Sequence, residues 1–141
     1  MGVVDIEERF EQLIAFLGSH LPSPVDQRET GDGSLTFSGG EPPEVIALLT
    51  DTSIVISEFA GVWETPYSFA ARPRRVGVVK WRRLPETELL NALAALIKGA
   101  RAARVAKYQA CQYCGHQTAP EWLHADGVCA SCSERHSSAI H

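Results

Sequence analysis

All four cysteines of this 141-residue chain lie in one stretch, as two pairs of identical spacing. The first pair is Cys111-x2-Cys114, and after fourteen intervening residues the second pair is Cys129-x2-Cys132. Each pair presents two sulfur atoms from one tight turn, and the intervening segment is long enough to fold back as a hairpin. Four converging thiolates are a common ligand set of tetrahedral zinc. The spacing therefore predicts one zinc ion bound by Cys111, Cys114, Cys129 and Cys132.

Paired cysteines also occur in disulfides, redox sites and iron–sulfur clusters. Disulfides need an oxidising compartment, and the acidic first residues, with no basic region and no long apolar run, are unlike a secretory signal peptide. A redox CxxC opens a helix after a strand in an α/β fold, where a second pair is unexpected. The spacing differs from that of ferredoxins, although an iron–sulfur cluster stays open as an alternative. Because cysteine fills all four positions, the predicted zinc site is closed to water and structural.

The turns around the cysteines resemble those of treble-clef zinc fingers. Gly115 follows the first pair, where the turn needs a residue that tolerates positive φ, and Asp126-Gly127 predicts a hairpin turn before the second pair. The second pair is followed by Ser133 and a sequence typical of a helix start, whereas a zinc ribbon would favour glycine there. The resemblance covers residues 110–137 and implies a metal-site architecture that serves many unrelated functions.

HNH nucleases are also built on a treble clef and often begin with a similar Cys-x-Tyr-Cys-Gly sequence. In that resemblance His124 would be the general base and His136 a metal ligand. The local sequence LHAD lacks the expected Asp-His pair, and the gap between the cysteine pairs is short for a nuclease. A nuclease is therefore kept as a remote alternative, and His116 and His124 are expected on an exposed hairpin or near the thiolates. Since phosphate-loop and GxSxG motifs are absent from the sequence, we predict a protein that is not an enzyme.

The formal net charge of −4 conceals an uneven distribution. Residues 1–71 contain twelve acids and two arginines, a net of −10, whereas residues 72–107 contain ten Lys/Arg and two acids, a net of +8. Residues 108–141 carry a net of −2. Zinc with four thiolates adds a further −2 to this last segment.

The basic segment suggests contacts with phosphate groups. Four cations lie on the second half of a predicted helix that leads into the zinc finger: Lys98, Arg101, Arg104 and Lys107. Six more flank a predicted strand that contains Trp81: Arg72, Arg74, Arg75, Lys80, Arg82 and Arg83. Such cations would bind nucleic acid in a salt-dependent way, although the pI of 5.7 argues against it. The alternative is internal: the strand at 74–83 would form cross-strand pairs with Glu44, Glu58 and Glu64.

Two helices are predicted to position these residues. The first covers residues 5–17, with Asp5 as N-cap and an end at Gly18. The second begins after Pro85 and extends over residues 86–108. Its first half has an apolar face for the sheet, and its second half, where basic residues replace apolar ones, is expected to project toward the zinc finger. A stripe of small residues along this helix suggests contact with the first helix or with a second copy of the chain, so a homodimer stays open.

Apolar, largely β-branched runs predict four strands, at residues 35–37, 44–50, 53–59 and 74–81, and the alternative for residues 44–50 is a helix that begins after Pro43. Residues 18–33 are interpreted as a loop, and 61–69 as an irregular or edge segment. Because the strands do not alternate with helices, the sheet is expected to be mainly antiparallel. The predicted fold class is α+β: a small sheet of three to four strands packed on both helices. Residues 1–109 would form this domain, and residues 110–141 the zinc module.

No apolar stretch approaches the roughly 20 residues of a membrane span, so we expect a cytoplasmic protein without a membrane partner. The leading prediction for its function is a zinc-containing adaptor or accessory protein that binds another, unidentified protein. The alternative is nucleic-acid binding by the basic helix at 98–107, beside the finger.

Overall fold

The computed structural model describes residues 6–124 and 126–139, with side chains up to Glu134. Its helices are α1 (Ile6–His20), α2 (Glu86–Val105) and α3 (Ala130–Ala139), and a 3-10 turn spans Pro120–Trp122. The strands are β1 (Val25–Glu29), β2 (Leu35–Gly39), β3 (Val45–Leu49), β4 (Ile54–Glu58), β5 (Gly61–Thr65), β6 (Ser68–Ala71), β7 (Arg74–Val79), β8 (Gln109–Ala110) and β9 (Gln117–Thr118). None of the helices in these ranges is long and apolar enough to cross a bilayer.

The main sheet has five strands in the order β1-β2-β3-β4-β7, and every neighbouring pair is antiparallel. The α+β class is therefore confirmed, with one strand more than the predicted maximum of four. The additional strand is β1, within the segment interpreted as a loop. Four of its five residues are exposed, and its sequence VDQRE lacks the apolar alternation that marks a half-buried strand.

One face of the sheet carries the core. Alternate residues of the central strands point to this face, and in cross-strand register Phe37 lies opposite Ala47 and Ala47 opposite Ile56. Both α1 and α2 contribute to the same buried cluster, for example through Leu17 and Leu93. Burying these side chains is the main stabilising contribution to the domain. The other face is less covered, and its Val78 is 41% exposed.

The C-terminal ends of α1 and α2 both differ from the predicted ends. Helix α1 continues through Gly18 to His20, because Gly18 is tolerated within a helix and Pro22 is the residue that cannot continue it. The predicted N-cap Asp5 lies outside the described residues. Helix α2 begins after Pro85 as predicted but ends at Val105, three residues early. No other described helix approaches α2 closely at Gly99 of its stripe of small residues, because a Cβ placed there would have no atom within 4 Å.

The segment at 61–69, predicted as irregular or edge structure, forms with the residues after it a separate hairpin of β5 and β6. Gly61 is required at its start, because a Cβ there would lie 2.1 Å from the Phe69 ring. This hairpin lies outside the main sheet and extends toward the part of the chain from β8 to α3, which contains the four cysteines and is called the cysteine module below.

Candidate metal centre

The four predicted ligands lie together. The Sγ atoms of Cys111, Cys114, Cys129 and Cys132 are all within 4.8 Å of one another, and those of Cys114 and Cys129 are 3.9 Å apart. A tetrahedron with zinc–sulfur bonds of about 2.3 Å has sulfur–sulfur distances of roughly 3.8 Å. The cluster is therefore compatible with one metal ion bound by four sulfurs. Three of the four residues are buried, and Cys114 is exposed.

The first cysteine pair lies in the turn between β8 and β9. The Cys111 N–H donates to the His116 carbonyl at 3.0 Å, and the Gly115 N–H donates to the Cys111 carbonyl at 2.9 Å. Gly115 has a φ of 73°, as the prediction of a residue with positive φ requires. The short β8–β9 pairing therefore fixes the turn that directs both sulfurs to one side.

The second pair lies at the start of α3. The chain returns through a bridge between Leu123 and Cys129, closed by a hydrogen bond from the His124 N–H to the Val128 carbonyl at 2.8 Å. Gly127 has a φ of 79°, in agreement with the predicted turn. The cysteine module thus consists of a hairpin turn, a returning loop and a helix start.

Backbone groups around Cys111 favour its thiolate form. The N–H groups of Cys114 and Cys129 lower the pKa of the Cys111 thiol to about 6, although its burial acts in the opposite direction. The Cys129 N–H lies 3.3 Å from the Cys111 sulfur, and the Tyr113 N–H lies 3.4 Å from it. Because metals bind the thiolate, these donors prepare the site for a metal.

A buried ion pair joins α2 to the cysteine module. Arg104 is only 1% exposed, and its two terminal nitrogens donate to the two carboxylate oxygens of Glu121, each at 2.8 Å. Its Nε donates to the Pro43 carbonyl at 3.2 Å, and its guanidinium lies over the rings of Phe59 and Tyr108 at 5.1 and 5.3 Å. Burial alone would favour the protonated Glu121, but Arg104 and the backbone N–H groups of Glu121 and Gly61 together outweigh it and hold the pKa of Glu121 below its ordinary value.

The other three cations predicted to contact phosphate from the second helix are more exposed than Arg104. Arg101 pairs with Glu44 at 3.0 Å, with 61% of its side chain exposed. Lys107 pairs with Glu58 at 2.7 Å. Lys98 is exposed, and no ion pair of the described residues includes it.

The three acids predicted to pair with the strand at 74–83 all form ion pairs, but none of them does so with that strand. Glu64 pairs with Arg72 at 2.7 Å, and the other two pair with α2 as described above. The partners of Glu44 and Glu58 thus come from the helix rather than from the strand at 74–83. Arg74 does lie opposite Glu58 in the register of β4 and β7, yet the lysine from α2 forms the salt bridge.

His116 and His124 do not join the cysteine cluster. His116 and His124 are exposed, and the contacts described above use their backbone groups. The side chain of His136 lies outside the part of the chain that is described. Among the described residues, the cluster of metal-ligand side chains consists of the four cysteines alone.

An aromatic cluster attaches the β5–β6 hairpin to the module. The rings of Trp63 and Trp122 are 5.5 Å apart, and Phe69 lies 5.1 Å from Trp63 and 6.1 Å from Trp122. The Trp63 indole donates to the Glu121 carbonyl at 2.9 Å, and the Gly61 N–H donates to the Glu121 carboxylate at 3.2 Å. Sequence reasoning missed Glu121 and Trp63 at this site. The only signal was the aromatic-rich composition of residues 59–69.

Comparisons of this chain with protein-family models, curated proteins and solved structures found no match. The function is therefore inferred from the geometry of the chain itself.

Proposed function

We propose that this chain is a non-enzymatic, zinc-containing adaptor that binds another protein where the cysteine module meets the β5–β6 hairpin. The observation that carries this proposal is the exposure of two tryptophans in contact with each other. Trp63 and Trp122 come from distant parts of the sequence, and they are 41% and 43% exposed. Exposed tryptophans are rare on surfaces that stay in water and are enriched at the centres of protein interfaces.

The metal in this proposal is zinc, and the module is a treble clef. A CxxC turn between two short strands, a returning loop and a second CxxC at the start of a helix support that class. Four sulfur ligands suit zinc but also iron. Elemental analysis of purified protein should find about one zinc per chain. Iron in place of zinc, with visible absorption from sulfur-to-iron charge transfer, would support the cluster alternative instead.

The proposal assigns the metal a structural role. With four cysteine ligands, a bound zinc ion has no position left for a water molecule or a substrate. The HNH alternative needs a second metal held by His136 and a base at His124. Incubation of zinc-loaded protein with plasmid DNA and magnesium or manganese tests it directly. Cleavage that is lost in His124→Ala would contradict the non-enzymatic proposal.

Protein capture tests the adaptor function. Zinc-loaded full chain, immobilised and exposed to an extract of its source cells, should retain a discrete protein at least about tenfold above Cys114→Ser, which lacks one metal ligand. Ser131→Ala, an exposed change between the last two ligands, serves as the matched control and should retain it as the wild type does. Equal recovery by wild type and Cys114→Ser would contradict an adaptor that depends on its zinc module.

Nucleic-acid binding stays the second candidate, and four of the six cations predicted around the strand now support it better than the ion-paired cations of the second predicted helix do. Arg74, Arg75, Lys80 and Arg83 are exposed on β7 and the turn after it, and none forms an ion pair with a described residue. Fluorescence anisotropy with labelled DNA and RNA across a salt series tests this candidate. Binding that weakens steeply with salt, and that Arg74→Glu/Arg75→Glu removes while Arg101→Glu does not, would favour it.

A further inference from the structure

We propose that the groove between the β5–β6 hairpin and the cysteine module binds an extended segment of a partner protein that contains arginine or lysine. The proposal rests on the adaptor function and gives the chemistry of the partner. The groove has a volume of about 1120 Å³, with the hairpin on one side and the 3-10 turn and α3 on the other.

The walls of the groove suit an extended chain. Trp63 and Pro66 line it from the hairpin, and Pro120 and Trp122 line it from the module. Small-molecule sites are typically enclosed and about 300–1,000 Å³, whereas this open groove can receive several consecutive residues. Grooves lined by aromatic side chains bind proline-containing extended segments well, because such segments lose little conformational entropy on binding.

The charge of the groove selects the partner. Among the described residues, its lining side chains include Glu121 and Glu134 and no lysine or arginine. Arg104 neutralises Glu121, whereas Glu134 is exposed and forms no ion pair with a described residue. Residues 108–141 carry a net charge of −2, and a zinc ion with four thiolates brings the module to a formal −4. A cationic segment is therefore attracted, and the phosphates of a nucleic acid are repelled.

Aromatic faces beside a carboxylate are a specific receptor for a cation. A guanidinium or ammonium group over a tryptophan face is stabilised by the ring quadrupole, and a nearby carboxylate adds an ion pair. The chain already uses this combination internally, where the Arg104 guanidinium lies over Phe59 at 5.1 Å while it pairs with Glu121. The groove presents the same types of group, Trp63, Trp122 and Glu134, without an internal cation among its described lining residues.

Nuclear magnetic resonance of zinc-loaded full chain tests the proposal, with a short peptide of alternating arginine and proline as the probe. The chain has three tryptophans, and their indole N–H signals can be assigned with Trp→Phe variants. The peptide should shift the signals of Trp63 and Trp122. The Trp81 signal is the internal control and should stay, because Trp81 is fully buried and donates to the Thr50 carbonyl at 2.9 Å. The matched peptide with glutamate in place of arginine should shift none of them.

Charge reversal separates the groove from general electrostatic attraction. Glu134→Lys should weaken binding of the arginine peptide at least about tenfold, since it replaces a groove carboxylate that has no ion-pair partner among the described residues by a charge of the same sign as the peptide's. Glu29→Lys makes the same change on an exposed residue of β1 outside the groove and should alter affinity by less than about twofold. Equal effects of the two variants, or peptide binding that leaves both groove indoles unshifted, would overturn the proposal.

Protein capture with Glu134→Lys distinguishes this inference from the adaptor function. If wild type retains a partner and Glu134→Lys retains it equally, the groove is not the contact and the adaptor function stands. If wild type retains nothing, the adaptor function fails, whatever the peptide does. Shifts of the groove indoles caused by duplex DNA, or by raising the protein concentration alone, would assign the groove to nucleic acid or to a second copy and overturn the inference.

Discussion

The α+β domain and the cysteine module are stabilised in different ways. Among the described residues, the domain buries a cluster of fifteen apolar residues from the sheet, both long helices and the segments beside them. The corresponding cluster of the module has four described members, three cysteines and Val128. Apolar burial can therefore stabilise the domain, whereas we expect the module to depend on a bound metal and on its contacts with the domain. From this difference we expect the surface of the module to form only when the module is folded, metal-loaded and docked.

Loss of one metal ligand should have the largest effect. Cys114→Ser removes the exposed ligand with little change in packing, and structural zinc contributes on the order of 10 kcal/mol to small zinc modules. We expect residues 109–134 to unfold while the sheet, α1 and α2 stay folded. Hydrogen exchange measured by mass spectrometry, peptide by peptide, checks this outcome. Faster exchange throughout the sheet as well would show one cooperative unit and contradict the comparison.

Breaking the ion pair of Arg104 and Glu121, which joins α2 to the cysteine module, should have the next largest effect. Glu121→Ala leaves the Arg104 guanidinium buried without its partner, which costs about 3–5 kcal/mol in comparable buried pairs. Chemical denaturation followed by tryptophan fluorescence measures the loss. The double variant Arg104→Met/Glu121→Leu is the control, since it removes both charges and should cost less than Glu121→Ala alone. A double variant that is as unstable as Glu121→Ala would show that packing, and not the unpaired charge, sets the cost.

The same pair predicts a pH dependence with a definite sign. Because the folded state lowers the pKa of Glu121, its contribution to stability is fully present at neutral pH. The contribution is lost as the pH falls from the ordinary value of 4.5 through the lower pKa of the folded state. Unfolding measured from pH 7 downward should show this component in wild type but not in Glu121→Gln. A difference between the two proteins that stays constant over this range would contradict the assignment.

The ion pairs of Lys107 and Arg101 should contribute less to the free energy of unfolding, and the more exposed pair should contribute least. Lys107 has 42% of its side chain exposed, but its partner Glu58 only 8%, so we expect Lys107→Met to cost about 1 kcal/mol. Arg101 is 61% exposed beside Glu44, and Arg101→Met should cost at most about 0.5 kcal/mol. Denaturation in low and high salt checks both values. The reverse order would mean that exposure does not rank these pairs.

Local features of the sequence predicted most helices, strands and turns. The edge strand β1 and the docking of the cysteine module depend instead on pairing between distant residues. The cysteine spacing and the glycine turns needed only neighbouring residues, and the helices and central hairpin followed from apolar periodicity. In contrast, β1 has an almost entirely polar sequence and becomes a strand because β2 offers it a free edge. The pair of Arg104 and Glu121 could not be predicted, because it depends on how the module docks. A basic residue within an apolar stripe predicts that the helix leaves the core, yet Arg104 is buried because a carboxylate from another element pairs with it.

The smallest expected effect on stability concerns Tyr108, whose ring lies beside the guanidinium of Arg104. Its hydroxyl is buried without a hydrogen-bond partner among the described residues, and burial raises the pKa of the phenol. Tyr108→Phe removes this unsatisfied group but keeps the ring that lies 5.3 Å from the Arg104 guanidinium. We therefore expect stability to stay within about 0.5 kcal/mol of wild type, or to rise slightly. Tyr108→Leu, which loses the aromatic face, is the control and should be less stable. A clear loss in Tyr108→Phe would mean that the hydroxyl binds an ordered water molecule, so that polar groups as well as the ion pair hold the module to the domain.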